Sequence, residues 1–278
     1  MPTRPRSTVV FLYKMDLDNL LMVNGRRLYV EQCGSAEGEV VVFLHHGLGS
    51  TYSWKLQMPA FAKAGFRVIV YDRWGYGKSD PRPSLSVPDF RDDLEDLVAL
   101  LDQLRMGKVT LVGHSDGGTI SLYFALQNPH KVNRLVTIAA HIYVEPKMLP
   151  GIEGLRISFA SDGRFREGLR RLHGEKTQAV FYNWYSGWVK PEHLTWDMRP
   201  LLAGITRPVL VVQGEADEHA TPQHAKDIAA SIPGAELWLE PGAGHMLPQE
   251  MSEEFNRRTL EFINLGSSSQ KEARKPGK

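Results

Sequence analysis

Two kinds of apolar pattern alternate along the first half of the chain. Short continuous apolar runs are typical of strands covered on both faces, and apolar residues at helical spacing predict amphipathic helices. Asn24 and Gly25 lie between two strand-like runs and predict a hairpin turn. The predicted strands are residues 20–31, interrupted by that turn, and 40–44, 66–71, 109–112 and 132–139; the predicted helices are 54–64, 88–105 and the segment after residue 118. This alternation predicts right-handed βαβ units and a mostly parallel sheet.

The alternation breaks between residues 141 and 206. This stretch has a helical pattern and contains Trp184, Trp188 and Trp196, half of the six tryptophans of the chain. It leaves from the end of a strand, where open α/β sheets bind their ligands, and it is too long for an ordinary connection. We therefore interpret residues 141–206 as a helical lid inserted into one core domain.

The strand and helix pattern resumes after the lid. Strands are predicted at 208–213 and 235–239, and helices at 222–231 and 250–265. The predicted organisation has four parts: a loose N-terminal arm (1–16), an α/β core (17–140 and 207–265), the lid (141–206) and a disordered, polar and basic C-terminal tail (266–278).

The composition fits one α/β domain with an insertion and excludes several function classes. The chain has 278 residues, 42% of them hydrophobic, and a formal net charge of +1. A chain this close to neutral generates no overall positive electrostatic field that would attract nucleic acid or an anionic membrane. No apolar run is long enough to span a bilayer. The single cysteine, Cys33, excludes an intramolecular disulfide. We therefore expect a cytoplasmic protein with no nucleic-acid or membrane partner, and the sequence leaves its oligomeric state open.

Residues 113–117 contain the candidate chemistry. Their sequence, Gly-His-Ser-Asp-Gly, joins an apolar strand-like run to a helical pattern, with Ser115 at the centre. This context is typical of a nucleophile elbow, whose central serine has a strained backbone and whose flanking positions must lack a Cβ. Here the sequence resembles the α/β-hydrolase family. The resemblance implies an eight-stranded, mostly parallel sheet with helices on both faces and an inserted helical lid.

A serine alcohol needs a general base, and the base needs an orienting acid. In the family these residues follow in the order serine, acid, histidine. Asp217 and His245 each lie just after a late predicted strand, so the resemblance implies a triad of Ser115, Asp217 and His245. Glu215 and Glu218 flank the acid and stay open as alternatives, although the family pattern favours Asp217.

The resemblance also implies two backbone donors for the oxyanion of the tetrahedral intermediate. One is the N–H of Asp116, the residue after the nucleophile, and the other is the N–H of Leu48 in a His-Gly-Leu loop. Three histidines lie near this site along the chain, namely His45, His46 and His114. We interpret all three as packing residues under the elbow and the loop.

The sequence predicts neither a cofactor nor a metal. Residues 72–79, Asp-Arg-Trp-Gly-Tyr-Gly-Lys-Ser, match a recurring family stretch that we interpret as a structural turn. They lack the third glycine of a dinucleotide fingerprint, and no helix begins there. His45 and His46 are adjacent, and no His-x-x-x-His or carboxylate cluster accompanies them, so no metal site is expected.

The serine at the elbow narrows the reaction. Family members that dehalogenate or open epoxides have an aspartate there, so Ser115 favours acyl transfer. We predict a carboxylic ester hydrolase that acts on a small ester through an acyl-enzyme. The alternatives are a carbon–carbon bond hydrolase, a lactonase, a perhydrolase, and a small-molecule receptor on the same fold.

Asp116 gives a hint about the substrate. The Ser-Asp-Gly-Gly elbow is similar to that of the biphenyl-hydrolase-like proteins called valacyclovir hydrolases, in which this aspartate is associated with the α-amino group of amino-acid esters. An aminoacyl ester is therefore one candidate, although His114 replaces the tryptophan common in that group, and an acid at a helix start is favoured anyway. The residues expected to bind substrate are Asp116, Tyr143, Phe159, Trp184, Tyr185 and Trp188.

Overall fold

The computed structural model describes the backbone of residues 19–272 and the side chains of residues 19–264. The predicted arm, residues 1–16, lies outside this part of the chain, as do residues 273–278 of the predicted tail. Between these limits, no helix is both long enough and apolar enough to cross a membrane.

The strands of the described chain are β1 (Leu20–Val23), β2 (Arg26–Gly34), β3 (Val40–Leu44), β4 (Arg67–Tyr71), β5 (Val109–His114), β6 (Val132–Ile138), β7 (Val209–Gly214) and β8 (Glu236–Glu240). They form one sheet in the order β1-β2-β4-β3-β5-β6-β7-β8. β1 pairs antiparallel with β2, and β2 with β4. All other neighbouring pairs are parallel. The prediction of an eight-stranded, mostly parallel sheet is therefore confirmed, and the parallel strands end at one common edge.

The helices of the same region are α1 (Gln57–Lys63), α2 (Arg91–Gln103), α3 (Asp116–Gln127), α4 (Met148–Ser161), α5 (Gly163–His173), α6 (Thr177–Trp188), α7 (Gln223–Ser231), α8 (Leu247–Glu250) and α9 (Ser252–Glu272). Alternate residues of β3 belong to two different apolar clusters, one on each face of the sheet. Val42 and Leu44 pack on the face covered by α2, α3 and α7, whereas Val41 and Phe43 pack on the face covered by α1 and α9. Helices therefore cover both faces, as predicted.

Two helices differ from the predicted bounds. The helix predicted at 54–64 begins at Gln57, which places Pro59 in its first turn, where the missing N–H removes no intrahelical hydrogen bond. The closing helix, predicted at 250–265, runs from Ser252 to Glu272 and thus enters the segment predicted as a tail.

The helical insertion lies between β6 and β7 as α4, α5 and α6. It approaches the edge where the parallel strands end. His173, at the end of α5, lies 3.0 Å from the carbonyl oxygen of Leu48 in the loop after β3, and Trp184 of α6 packs against Gly47 of the same loop.

Candidate active site

Ser115 lies between the last residue of β5 and the first residue of α3. Its backbone has φ 55° and ψ −118°, a positive φ that residues with side chains rarely adopt. The conformation is held by hydrogen bonds on both sides. Ser115 N donates to Ile138 O at 2.7 Å, and Ser115 O accepts from Gly118 N and Thr119 N at 2.8 and 3.1 Å. The serine therefore stands at the tip of a tight strand-to-helix turn.

Two glycines allow β5 and α3 to meet this closely. A Cβ on Gly113 would lie 2.1 Å from the carbonyl oxygen of Gly117, and a Cβ on Gly117 would lie 2.3 Å from the carbonyl oxygen of Leu44. Real Cβ atoms essentially never come closer than 3.0 Å to such an atom. Glycine is therefore required at both positions for the steric reason that the elbow motif implies.

Asp217, after β7, and His245, after β8, form a hydrogen bond of 2.9 Å between Oδ2 and Nδ1. The same carboxylate accepts hydrogen bonds from the Gln213 side chain and from the backbone N–H groups of His219 and Ala220. Burial raises the pKa of Asp217, but these hydrogen bonds and His245 outweigh it and hold the pKa well below its usual range. An ionised Asp217 keeps the proton of a neutral His245 on Nδ1, and Nε2 is then able to act as a base.

The structure brings the three predicted triad residues together, because Ser115 and His245 line the same cavity and His245 is bonded to Asp217. The two alternative acids, Glu215 and Glu218, are exposed. Glu218 Oε2 accepts a hydrogen bond from the backbone N–H of His245 at 3.1 Å. This contact holds the loop that contains His245, and the imidazole ring of His245 bonds to Asp217 instead.

Both predicted oxyanion donors are at the cavity, which Leu48 and Asp116 line. Within the described residues, neither of their backbone N–H groups donates to a protein acceptor. Two backbone donors near a buried serine suit the negative charge that develops on a carbonyl oxygen under attack.

The Asp116 side chain belongs to a buried ion cluster. Its Oδ2 lies 3.5 Å from Arg73 Nη2. Arg73 also pairs with Asp93 at 3.1 Å, and Arg82 pairs with Asp93 and Asp92 at 2.7 and 2.6 Å. Burial raises the pKa of Asp116 to about 6, although the charge of Arg73 opposes this rise. With every member ionised, three carboxylates face two guanidinium groups, so the cluster is net negative, and Asp116 is its member at the cavity.

The histidines near the site differ in their surroundings. His45 is fully buried, with Nδ1 2.8 Å from the His46 carbonyl oxygen and Nε2 accepting from Arg73 N at 3.1 Å. His114 Nε2 lies 2.8 Å from the carbonyl oxygen of His245, and burial lowers the pKa of His114 to about 3. Both surroundings suit packing residues. His46 also lines the cavity, which exceeds the packing role predicted for it.

A cavity of about 550 Å³ lies over Ser115. Each lid helix contributes residues at helical spacing, and each set lies on the side of its helix that faces the cavity. The apolar lid residues that line it are Met148, Ile152 and Leu155 of α4, Phe165, Leu169 and Leu172 of α5, and Trp184 and Trp188 of α6. The cavity is therefore mostly apolar, as is typical of small-molecule sites.

The structure places only part of the predicted substrate pocket at this cavity. Asp116, Trp184 and Trp188 line it, whereas Tyr143, Phe159 and Tyr185 do not. Helix geometry separates the residues of α6. Trp184 and Trp188 are four residues apart and share one side of the helix, and Tyr185 is rotated away from that side by one residue.

The three other aromatic residues contact different parts of the protein. Tyr143 stacks on His224 with ring centroids 4.1 Å apart, and Phe159 stacks on Phe181 at 4.0 Å within the lid. The Tyr185 hydroxyl donates to a carboxylate on α4 at 2.9 Å. Their aromatic surface therefore stabilises the lid and its junction with the core.

Sequence reasoning missed two features. The apolar stripes of α4 and α5 were detectable, because their lining residues recur at i, i+4 and i+7. The second feature is His173, which lies in no motif of the sequence. It contacts the loop of the predicted oxyanion hole, and no local sequence signal predicts a contact between residues this far apart in the chain.

Comparisons with known proteins agree with this architecture. Residues 39–199 match the family model for the α/β hydrolase fold. A human protein named serine hydrolase BPHL is 33% identical over 248 residues, which cover 87% of this chain and 84% of that protein. A 2-hydroxy-6-oxononadienedioate/2-hydroxy-6-oxononatrienedioate hydrolase from Comamonas testosteroni is 27% identical over 272 residues, covering 86% and 92%. The solved structure of a hydrolase from Pseudomonas aeruginosa PA01 superposes with a TM-score of 0.73 and 25% identity, covering 89% and 99%.

Proposed function

Because this chain belongs to the α/β-hydrolase fold family and is a hydrolase, we propose that it cleaves small carboxylic esters through an acyl-enzyme on Ser115. The observation that carries the proposal is the strained serine at the elbow, in one cavity with a histidine that is hydrogen-bonded to a buried carboxylate. This arrangement supplies a nucleophile, a general base and an orienting acid.

The proposed reaction has two steps. Ser115 Oγ attacks the ester carbonyl carbon while His245 Nε2 accepts the hydroxyl proton, and the N–H groups of Leu48 and Asp116 donate to the oxyanion. Collapse breaks the carbon–oxygen bond, and His245 returns the proton to the departing alcohol. A water then attacks the acyl carbon with His245 again as base. The products are the carboxylic acid and free Ser115.

Nitrophenyl esters test this proposal. Wild-type protein is expected to hydrolyse p-nitrophenyl acetate and butyrate, and Ser115→Ala is expected to lower kcat/KM by more than about 10³-fold, because no other group replaces the nucleophile. Ser161→Ala is a matched control, since the Ser161 hydroxyl bonds to Ile157 O on α4, and Ser161 is not among the cavity residues. A Ser115→Ala protein with wild-type turnover would exclude the mechanism.

The finer proposal is that the preferred ester has an ammonium group near its acyl carbon. Asp116 supports it, because the residue lines the cavity and its carboxylate belongs to a net negative cluster. A charge-assisted hydrogen bond to an ammonium contributes about 1.5–3 kcal/mol, which corresponds to about 10- to 100-fold in kcat/KM. Arg73 already neutralises part of this charge. The size of the preference therefore measures how much of the negative charge of Asp116 remains for the ammonium group.

An aminoacyl ester and its des-amino analogue test this preference. Wild-type protein should favour the aminoacyl ester by about 10- to 100-fold, and Asp116→Asn should remove the preference while preserving the backbone donor of residue 116. An equal preference in wild type and variant would exclude amine recognition by Asp116 and leave simple ester hydrolysis intact.

Carbon–carbon bond hydrolysis is the second candidate, favoured by the match to the Comamonas testosteroni protein. The substrate in that protein's name is a dianion, and the buried carboxylate of Asp116 would repel it. Lys55, a cation at the cavity, is exposed, so solvent screens its charge. Ester turnover combined with no cleavage of a dienedioate would favour the esterase, and ligand binding without either reaction would favour a receptor.

A further inference from the structure

The lid contributes a buried histidine to the loop that contains Leu48. His173 is the last residue of α5 and is only 3% exposed. Its Nδ1 accepts a hydrogen bond from Gly77 N at 2.9 Å, and its Nε2 lies 3.0 Å from the carbonyl oxygen of Leu48. A backbone N–H must donate, so Nδ1 has no proton, and Nε2 has the proton that it donates to Leu48 O. Both ring nitrogens of a neutral His173 are thus satisfied.

The start of the same loop is held by Arg73, the second residue after β4. Arg73 N donates to His45 Nε2 at 3.1 Å, and Arg73 Nη2 donates to His46 O at 3.4 Å. At the end of the loop, His173 is the hydrogen-bond partner of the Leu48 carbonyl among the described residues. The core therefore holds the loop at His46, a turn hydrogen bond from Gly49 N to His46 O at 3.1 Å closes it, and the lid holds the Leu48 carbonyl.

The position of the Leu48 carbonyl matters because the predicted oxyanion donor is the N–H of the same residue. The carbonyl and the N–H of Leu48 belong to the two peptide planes that meet at the Leu48 Cα. Fixing the carbonyl anchors one plane and thereby narrows the orientations open to the other plane and its N–H. Hydrogen bonds to an oxyanion contribute most when the donors are already in place, and small misplacements cost large factors in rate.

We propose that His173 is a positioning residue that holds the Leu48 N–H in its catalytic orientation, so that the oxyanion hole is complete only when α5 of the lid is docked. This inference rests on the proposed serine-hydrolase function. It also gives a role to residues 72–79, which the sequence identified only as a structural turn, because Gly77 supplies the N–H that orients the His173 ring.

A second lid residue offers a matched control. Lys176 Nζ donates to Tyr76 O at 3.1 Å and also to Ser79 O. Lys176 therefore ties the lid to the same turn as His173, without a hydrogen bond to the loop that contains Leu48. A variant of Lys176 removes this one tie and leaves in place the two His173 hydrogen bonds that hold the end of α5.

The test compares three variants on a p-nitrophenyl ester. His173→Phe keeps a ring against Tyr76, 6.0 Å away between centroids in the native protein, and loses both hydrogen bonds. We expect kcat to fall about 10- to 100-fold with KM changed less than about 3-fold. His173→Gln offers one acceptor and one donor and should restore kcat to within about 5-fold of wild type, and Lys176→Met should stay within about 3-fold.

Inhibition by an alkyl trifluoromethyl ketone separates positioning from general damage. Its adduct with a serine places a negative oxygen in the oxyanion hole, so its affinity should fall in His173→Phe in proportion to kcat/KM. Where His173→Phe does not fold, His173→Asn takes its place, because its side chain is too short to reach both partners. Thermal melting of each variant verifies that the measured protein is folded.

The inference is overturned if folded His173→Phe keeps wild-type kcat, if its loss lies entirely in KM, or if Lys176→Met loses as much kcat as His173→Phe. Wild-type protein without Ser115-dependent ester turnover would overturn the proposed function and this inference with it. Normal wild-type turnover with an unaffected His173→Phe would overturn this inference alone.

Discussion

Buried neutral histidines should make the protein unusually sensitive to mild acid. Burial lowers the pKa of His114 from 6.5 to about 3, and that of His173 and His224 to about 4. In the unfolded chain each of these groups takes up a proton below its ordinary pKa, whereas in the folded protein it does not. The stability that they contribute is therefore complete above pH 6.5 and is lost as the pH falls from 6.5 towards 4.

The size of this effect follows from linkage. Between pH 7.5 and pH 5.5, each such histidine lowers the free energy of unfolding by about 1.3 kcal/mol, so the three together lower it by about 4 kcal/mol. Asp116 acts in the opposite direction, because its pKa is raised to about 6 in the folded state, and it returns about 0.8 kcal/mol. Burial also lowers the pKa values of His45, His46 and His141 and raises those of Asp72 and Asp96. These two sets act in opposite directions, so the expected net loss is about 3 kcal/mol.

Urea unfolding at pH 7.5 and 5.5 measures this loss as a shift of the midpoint at constant slope. His173→Gln is the matched variant, because it removes one of the titrating groups and should reduce the pH-dependent loss by about 1.3 kcal/mol. A wild-type free energy of unfolding that changes by less than about 1 kcal/mol across this range would refute the reasoning.

Three further experiments have defined outcomes. Gly113→Ala should lower the free energy of unfolding by more than about 3 kcal/mol in urea unfolding, because its Cβ meets the Gly117 carbonyl; Gly107→Ala, with open space around the new Cβ, should change it by less than about 1 kcal/mol. Asp217→Asn should lower kcat for a nitrophenyl ester by about 10³- to 10⁴-fold, because an amide no longer holds the His245 tautomer, and wild-type kcat would contradict the triad. Arg73→Met should destabilise the protein by about 3–5 kcal/mol, because the buried Asp116 carboxylate loses its ion pair and Asp93 keeps only Arg82. Adding Asp116→Asn should recover part of that loss; no recovery in thermal melting would contradict the ion pair.

Most of the core was predictable, because the surroundings of a core strand or helix repeat regularly along it and the residue pattern follows them. β3 is buried on both faces and is a continuous apolar run, and the hairpin turn has Asn24 and Gly25, both at positive φ in the structure. The elbow was predictable for a related reason. Its geometry demands glycines at fixed spacing around Ser115, so the steric requirement is visible in the sequence.

The lid was harder to predict because its helices are apolar on more than one side. Tyr185 contacts α4 on one side of α6, while Trp184 and Trp188 face the cavity. A count of aromatic residues does not distinguish these sides, but helical spacing does. Contacts such as that of His173 with Leu48 depend on how the lid docks onto the core, and no periodicity within one segment contains that information.

The central claim is that Ser115 is the nucleophile of an acyl-transfer reaction, and covalent labelling tests it most directly. A fluorophosphonate should add one phosphonyl group per chain, which peptide mass spectrometry should locate on Ser115. Ester turnover should be lost in proportion to labelling, and Ser115→Ala should show neither labelling nor turnover. A phosphonyl group on another residue, or ester turnover that persists in Ser115→Ala, would contradict the claim.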